Sequence, residues 1–241
     1  MKNIAVVGLG QIGGSLVLAL RKAKVNALIT GIDPSLTCRN HLKKYLDRSA
    51  ASWSASYDTD IIFACMHFDL LKKFLNEAKT EALIVDVCSS KEELVKIANR
   101  KRLRMIGGHP MTGSEHQGEK GWNADLFRNA PFFLCPADKA TTKDRIQLTR
   151  LLKMIGASPK IVDPPQHDRA VAITSHLPAL IANFYAHFAN GIPVHFQGPG
   201  FKSFTRPGKC SLELLQTFRS SNRKNIQKTA SRFLRQLSHL T

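Results

Sequence analysis

Apolar residues fall into two rhythms along the chain. Short β-branched and aliphatic runs occur at Ile4 to Gly8 (IAVVG), Ala27 to Ile32 (ALITGI), Ile61 to Cys65 (IIFAC), Leu83 to Val87 (LIVDV), Met105 to Gly107 and Phe132 to Leu134. Each has the length of a strand buried on both faces. Polar or helically spaced stretches, such as Gln11 to Ala23, separate them. Parallel neighbours in a sheet need a crossover of about a dozen residues or more, so this alternation predicts an α/β unit with a mostly parallel sheet covered on both sides.

The rhythm changes at Pro164-Pro165. Gln166 to Asn190 carries apolar residues at helical spacing, and a loop rich in glycine and proline follows. Leu212, Leu215, Phe218, Ile226, Phe233, Leu237 and Leu240 then follow at spacings of three or four residues or about twice that. That spacing marks amphipathic helices. The expected organisation is an α/β domain over residues 1–163 and a small all-helical domain over residues 164–241.

With 43% hydrophobic and 22% charged residues, the 241-residue chain can fill a core and is not of the disordered class. No apolar run approaches the roughly 20 residues of a membrane-crossing helix, and MKNIAVVGLG turns to glycine before a secretory core could form. A cytoplasmic protein is expected. The five cysteines stand singly, which suits reduced thiols better than disulfides or a zinc site. Lys and Arg number 35 against 18 Asp and Glu, a net charge of +17, and residues 201–241 hold nine of the bases with Glu213 as their one acid. Such a surface attracts nucleic acid, acidic membranes or small polyanions alike.

GLGQIGG places Gly8, Gly10 and Gly13 directly after a strand, with Gln11 and Ile12 opening a helix. This is the GxGxxG context of a Rossmann-type, doubly wound dinucleotide fold: a tight turn, a close backbone approach to pyrophosphate, and close helix packing. Asp33, at the end of the second strand, can accept hydrogen bonds from a ribose and would repel a 2′-phosphate, so NAD is favoured over NADP. It could also serve as a turn former before Pro34.

Three further stretches set polar groups beside glycine or proline: DVCSSK (Asp86 to Lys91), GGHPMTGSEHQG (Gly107 to Gly118), and SHLP (Ser175 to Pro178) with GPGFKSFTR (Gly198 to Arg206). His109 is read as lying in a glycine-flanked loop at a strand end, where an imidazole can accept a proton near neutral pH. Ser89 and Ser90 could cap a helix starting near Lys91, with Glu92 or Glu93 completing a capping box. None of the histidines forms an HExxH-like spacing, and no metal is expected.

Together with the GW and LF of GWNADLF, these motifs resemble the prephenate and arogenate dehydrogenases of tyrosine biosynthesis, and the similarity runs through nearly the whole chain. The resemblance implies NAD-dependent oxidative decarboxylation of prephenate to 4-hydroxyphenylpyruvate, with arogenate or dual cyclohexadienyl specificity as the alternative. It makes His109 the group on the substrate's ring hydroxyl and sets Ser89 beside it. It implies that His176 and Arg206, from the helical domain, close the pocket, Arg206 gripping a carboxylate of the dianionic substrate. Ser114 and Glu115 become a substrate-facing pair, and Cys65 and Met66 become backbone contacts of the cofactor.

Two rival readings remain. A β-hydroxyacid dehydrogenase or imine reductase would share the glycines but not the GGHP and FTR combination. Nucleic-acid binding would use Arg219, Arg223, Lys224, Lys228, Arg232 and Arg235. The plainer reading of that tail is a helix packed on a partner with a solvated basic face, consistent with a homodimer.

Overall fold

Strand β1 (Asn3–Val7) shows how the sheet is built. Its side chains alternate faces, so Ile4 and Val6 enter one core cluster while Ala5 and Val7 enter the other. The same division holds in β4 (Ile61–Ala64), where Ile61 and Phe63 oppose Ile62 and Ala64. Leu16, Val17 and Leu20 of α1 (Gln11–Lys22) cover the first face with Leu148, Leu151 and Leu152 of α5 (Thr142–Met154). Phe68, Leu71 and Phe74 of α3 (Phe68–Glu77) and Leu94 and Ile97 of α4 (Glu92–Arg100) cover the second.

The computed structural model describes residues 2–113 and 118–239. The chain divides into two compact units, Met1–Pro164 and Pro165–Thr241. In the first unit β1 and β4 are joined by β2 (Leu28–Ile32), which the short helix α2 (Leu36–His41) follows, and by β3 (Arg48–Ala50), β5 (Leu83–Asp86), β6 (Met105–Pro110), β7 (Pro131–Pro136) and β8 (Ser158–Ile161). The order is β3-β2-β1-β4-β5-β6-β7-β8, parallel throughout except between β6 and β7. Strand order therefore reverses between β1 and β4, and the crevice beyond their carboxyl ends is where such sheets take ligands. Among the described residues no helix is long and apolar enough to cross a membrane.

Strand β6 is longer than its apolar run predicts. Gly108, His109 and Pro110 pair with Leu134, Phe133 and Phe132 of β7, so His109 stands in a strand and not in a loop. Behind it, β5 ends in Asp86, fully buried opposite an equally buried Lys91. The Lys91 ammonium donates to Asp86 Oδ2 and, at 2.6 Å, to the Gly108 carbonyl. Asp86 also accepts the Cys88 and Gly108 N–H groups at 2.9 and 3.1 Å. The expected serine cap of α4 does not form: Lys91 is the N-cap residue, no side chain caps the helix, and Ser89 Oγ is buried without a partner. Drawing the Lys91 side chain inward to Asp86 sets the start of the helix.

The second unit consists of α6 (Pro164–Val171), a π-helical turn at Ala172–His176, α7 (Leu177–Phe188), α8 (Pro199–Thr205), α9 (Leu212–Ser221) and α10 (Arg223–Leu237). Its core gathers Ala172, Leu177, Ala179, Leu215, Phe218 and Ile226. Gly208 lies against α7, where an added Cβ would come within 2.2 Å of the Asn183 nitrogen. His176 is wholly buried, stacked on Phe218 with ring centroids 4.3 Å apart. Its Nδ1 lies 3.1 Å from Nδ2 of Asn222, which also donates to the Asp168 carbonyl at 2.7 Å. Asn222 Nδ2 is a donor, so Nδ1 accepts and the proton of the neutral ring sits on Nε2. Burial lowers the His176 pKa to about 4, against the partial opposition of the Asp168 charge.

Two outcomes are expected. Lys91→Met leaves the Asp86 carboxylate buried and uncompensated, and should cost about 3–5 kcal/mol in urea unfolding; a cost below about 1 kcal/mol would show that the pair is not a brace. Acid protonates the unfolded His176 before the folded one, so its contribution to stability should fade as pH drops from 6.5 to about 4, by at most about 3 kcal/mol. The melting temperature of His176→Gln should accordingly be less sensitive than the parent's over that window.

Candidate functional site

The carboxyl edge of the sheet collects most of the residues singled out above. Gly8 has φ +90°, a left-handed conformation that favours glycine, and a Cβ there would sit 2.2 Å from the Cys65 carbonyl oxygen. At Gly13 a Cβ would strike the Gly8 oxygen at 1.8 Å and approach the Cys65 Cβ at 3.1 Å. These two glycines let the β1 turn, α1 and the end of β4 close on one another. Gly10 differs: a Cβ there would meet nothing within 4 Å, so the space above it is open. Gly10 caps α1 with no side-chain hydrogen bond, and the first-turn amides of a helix have no carbonyl partners within it. An open face over such amides fits the pyrophosphate of a dinucleotide.

Asp33 closes this loop onto β2. Its carboxylate accepts the Leu9 N–H at 2.8 Å and the Ser35 N–H at 2.8 Å. A carboxylate offers about four acceptor sites, so these two bonds leave capacity for ribose hydroxyls. Next along the edge, Cys88 Sγ donates to the Met66 carbonyl at 3.6 Å, joining the ends of β4 and β5. Burial pushes the Cys88 thiol up to about 12 and the Cys65 thiol higher still, so both stay protonated at neutral pH. Ser89 follows with its orphaned Oγ, a buried hydroxyl whose hydrogen bonds a ligand can supply.

His109 reaches the same edge from β6 and is 8% exposed. Its backbone is fixed on one side by the β7 ladder and on the other by the clasp of Asp86 and Lys91 on Gly108. Ser114 and Glu115 lie outside the described residues. In the second unit, His176 is the buried imidazole described above, with Nε2 lacking a hydrogen-bond partner. Arg206 follows α8 and is exposed.

Reasoning from sequence missed the partners that hold these groups. Asp86 is the one charge inside an apolar run, LIVDV, which is a usable sign of a buried pair. Lys91, by contrast, looks like any basic residue before an acidic helix start. Asn222, which fixes the His176 tautomer, gives no signal beyond an ordinary cap. Trp122 donates its indole N–H to the Leu9 and Gly10 carbonyls at 3.1 and 2.9 Å, inside the glycine loop itself.

Comparison with known proteins bears on the whole chain. Residues 16–161 match the family model described as prephenate dehydrogenase, nucleotide-binding domain, and residues 163–241 match prephenate dehydrogenase, dimerization domain. A prephenate dehydrogenase of Lactococcus lactis is 31% identical over 222 residues, covering 86% of this chain and 61% of that relative. The chain thus spans under two thirds of that relative's length. A crystal structure of the A. aeolicus prephenate dehydrogenase with hydroxyphenyl propionate and NAD+ superposes with a TM-score of 0.89 at 25% identity, covering 100% of this chain and 89% of that one. A Synechocystis arogenate dehydrogenase gives 0.82 at 27% identity, covering 99% and 90%. Two family models that together take in both units, the first of them a nucleotide-binding domain, establish that the chain belongs to the prephenate dehydrogenase family.

Proposed function

We propose that the protein catalyses NAD-dependent oxidative decarboxylation of prephenate to 4-hydroxyphenylpyruvate. The observation that carries this reading is the support of His109: a strand-end imidazole, braced from behind by a buried ion pair, on the same sheet edge as the glycine loop and the unpartnered hydroxyl of Ser89. The similarity to an enzyme crystallised with NAD+ and a hydroxyphenyl compound supports it.

The glycine loop, with Gly8, Gly10, Gln11, Ile12 and Gly13, would hold the pyrophosphate. Asp33 would take the adenosine ribose, and its negative charge disfavours a 2′-phosphate, so NAD is the expected dinucleotide. The backbone at Cys65 and Met66 would line the nicotinamide end. When bound, NAD+ supplies the hydride acceptor. His109 accepts the proton of the ring hydroxyl as the C4 hydride departs, and Ser89 orients that hydroxyl. Loss of CO2 from C1 then makes the ring aromatic, which drives the reaction, so the protein's work is alignment and the removal of one proton. Arg206 is assigned to a substrate carboxylate, for which a guanidinium offers two parallel hydrogen bonds. Ser114 and Glu115 are assigned to the same substrate. His176, neutral at working pH, is assigned by the resemblance to the wall of the substrate pocket. The +17 charge adds a general attraction for a dianion.

The similarity to the Synechocystis arogenate dehydrogenase supports a second substrate, which differs in bearing an amino group where prephenate has a keto oxygen. Assays with both substrates, each with NAD+ and NADP+, should show highest kcat/KM for prephenate with NAD+. His109→Asn should reduce kcat by about a hundredfold or more with little change in KM for prephenate, and Arg206→Ala should chiefly raise that KM. Near-parental turnover in His109→Asn would remove the proton-acceptor role.

The second unit is read as pairing with another copy of the chain. Phe184, Phe188 and Phe196 are 72%, 76% and 72% exposed, and the unit matches a dimerization domain. Aromatic surface of that extent is normally covered. The double variant Phe184→Asp and Phe188→Asp should elute as a monomer in size exclusion with light scattering; a parental chain already monomeric would refute the assembly.

A further inference from the structure

After β6 the chain passes through residues 111–130 before it re-enters the sheet as β7. The later part of that excursion is fastened to the start of α1. Trp122 donates its indole N–H to both Leu9 O and Gly10 O. The ring lies so close that a Cβ on Gly14 would come within 2.0 Å of Nε1, so the final glycine of GLGQIGG serves the indole. Next to it, the Asn123 N–H donates to Ser15 Oγ at 3.0 Å, and Lys22 Nζ pairs with Asp125 at 2.5 Å.

We infer that Trp122 is a positioning residue for the pyrophosphate of the dinucleotide, an inference that rests on the NAD reading above. In a planar trans peptide the C=O and the next residue's N–H point to opposite sides. The indole holds the Leu9 carbonyl, and shares with the Gly14 N–H at 2.9 Å in holding the Gly10 carbonyl, which turns the Gly10 and Gln11 N–H groups to the opposite side of the loop. The Leu9 N–H is already taken by Asp33, and the amides that open the helix are the kind that attracts anions. With the peptide planes set in advance, the loop does not have to reorganise when the phosphates arrive.

Trp122→Phe keeps an aromatic ring and removes only the donor. Measured calorimetrically without turnover, its affinity for NAD+ and for ADP-ribose should fall about five- to tenfold, the effect of one shared hydrogen bond. Adenosine, which has no pyrophosphate, should bind as it does to the parent, and KM for the cyclohexadienyl substrate should not move. Gly14→Ala keeps Trp122 but displaces the indole, and should reproduce this selective loss. NAD+ affinity within about twofold of the parent in either variant would overturn the assignment, as would an equal weakening of adenosine and ADP-ribose. If the parent protein itself binds neither NAD+ nor ADP-ribose, the dinucleotide reading fails and this inference with it.

Discussion

The ion pair of Asp86 and Lys91 is the constraint on which the proposed active edge depends. Two opposite charges with no exposure to water are tolerable only when each is fully engaged, because an isolated one costs several kcal/mol in a protein interior. Here the carboxylate receives an ammonium and two backbone N–H groups, and the ammonium also reaches the Gly108 carbonyl. Four pieces of backbone are thereby locked together: the end of β5, the turn through Cys88, the start of α4 and the strand bearing His109. A hydrophobic plug of the same volume could fill the space but could not specify the rotation of the Gly108 peptide.

A similar arrangement fixes the imidazole of the helical unit. His176 is held by Phe218 on its face and Asn222 at Nδ1, so its tautomer and its neutrality follow from packing. The two histidines nonetheless differ in kind. His109 gains its orientation from backbone on either side and belongs to a sheet edge, whereas His176 is a core residue of the helical unit with one nitrogen left over.

Much of this was legible in the chain because it is enforced locally. Gly8 and Gly13 have no room for a side chain, and the buried strands need unbroken apolar runs, so both announce themselves in the residue order. The illegible features depend on partners distant in sequence. Strand β6 extends through His109 only because β7 pairs with it, and β8 is a short edge strand whose Lys160 and Ile161 are exposed and carry no burial pattern. Ser89 reads as a helix cap until Lys91 turns inward to Asp86. The placement of Gly208 on α7 depends on tertiary packing of the second unit and not on the motif GPGFKSFTR alone.

Reversal of chain direction between β6 and β7 has a consequence for how members of this family can diversify. Adjacent antiparallel strands can be closed by as few as two residues, yet here 20 are inserted, all departing from the ligand-facing rim. Since both flanking strands are pinned by their own ladders, that insert can lengthen or shorten without shifting the registry of the sheet, so long as Trp122, Asn123 and Asp125 keep their ties to the glycine loop and α1. Variation outside those ties can then accumulate among homologues while the glycine loop and the strand that carries His109 stay where they are.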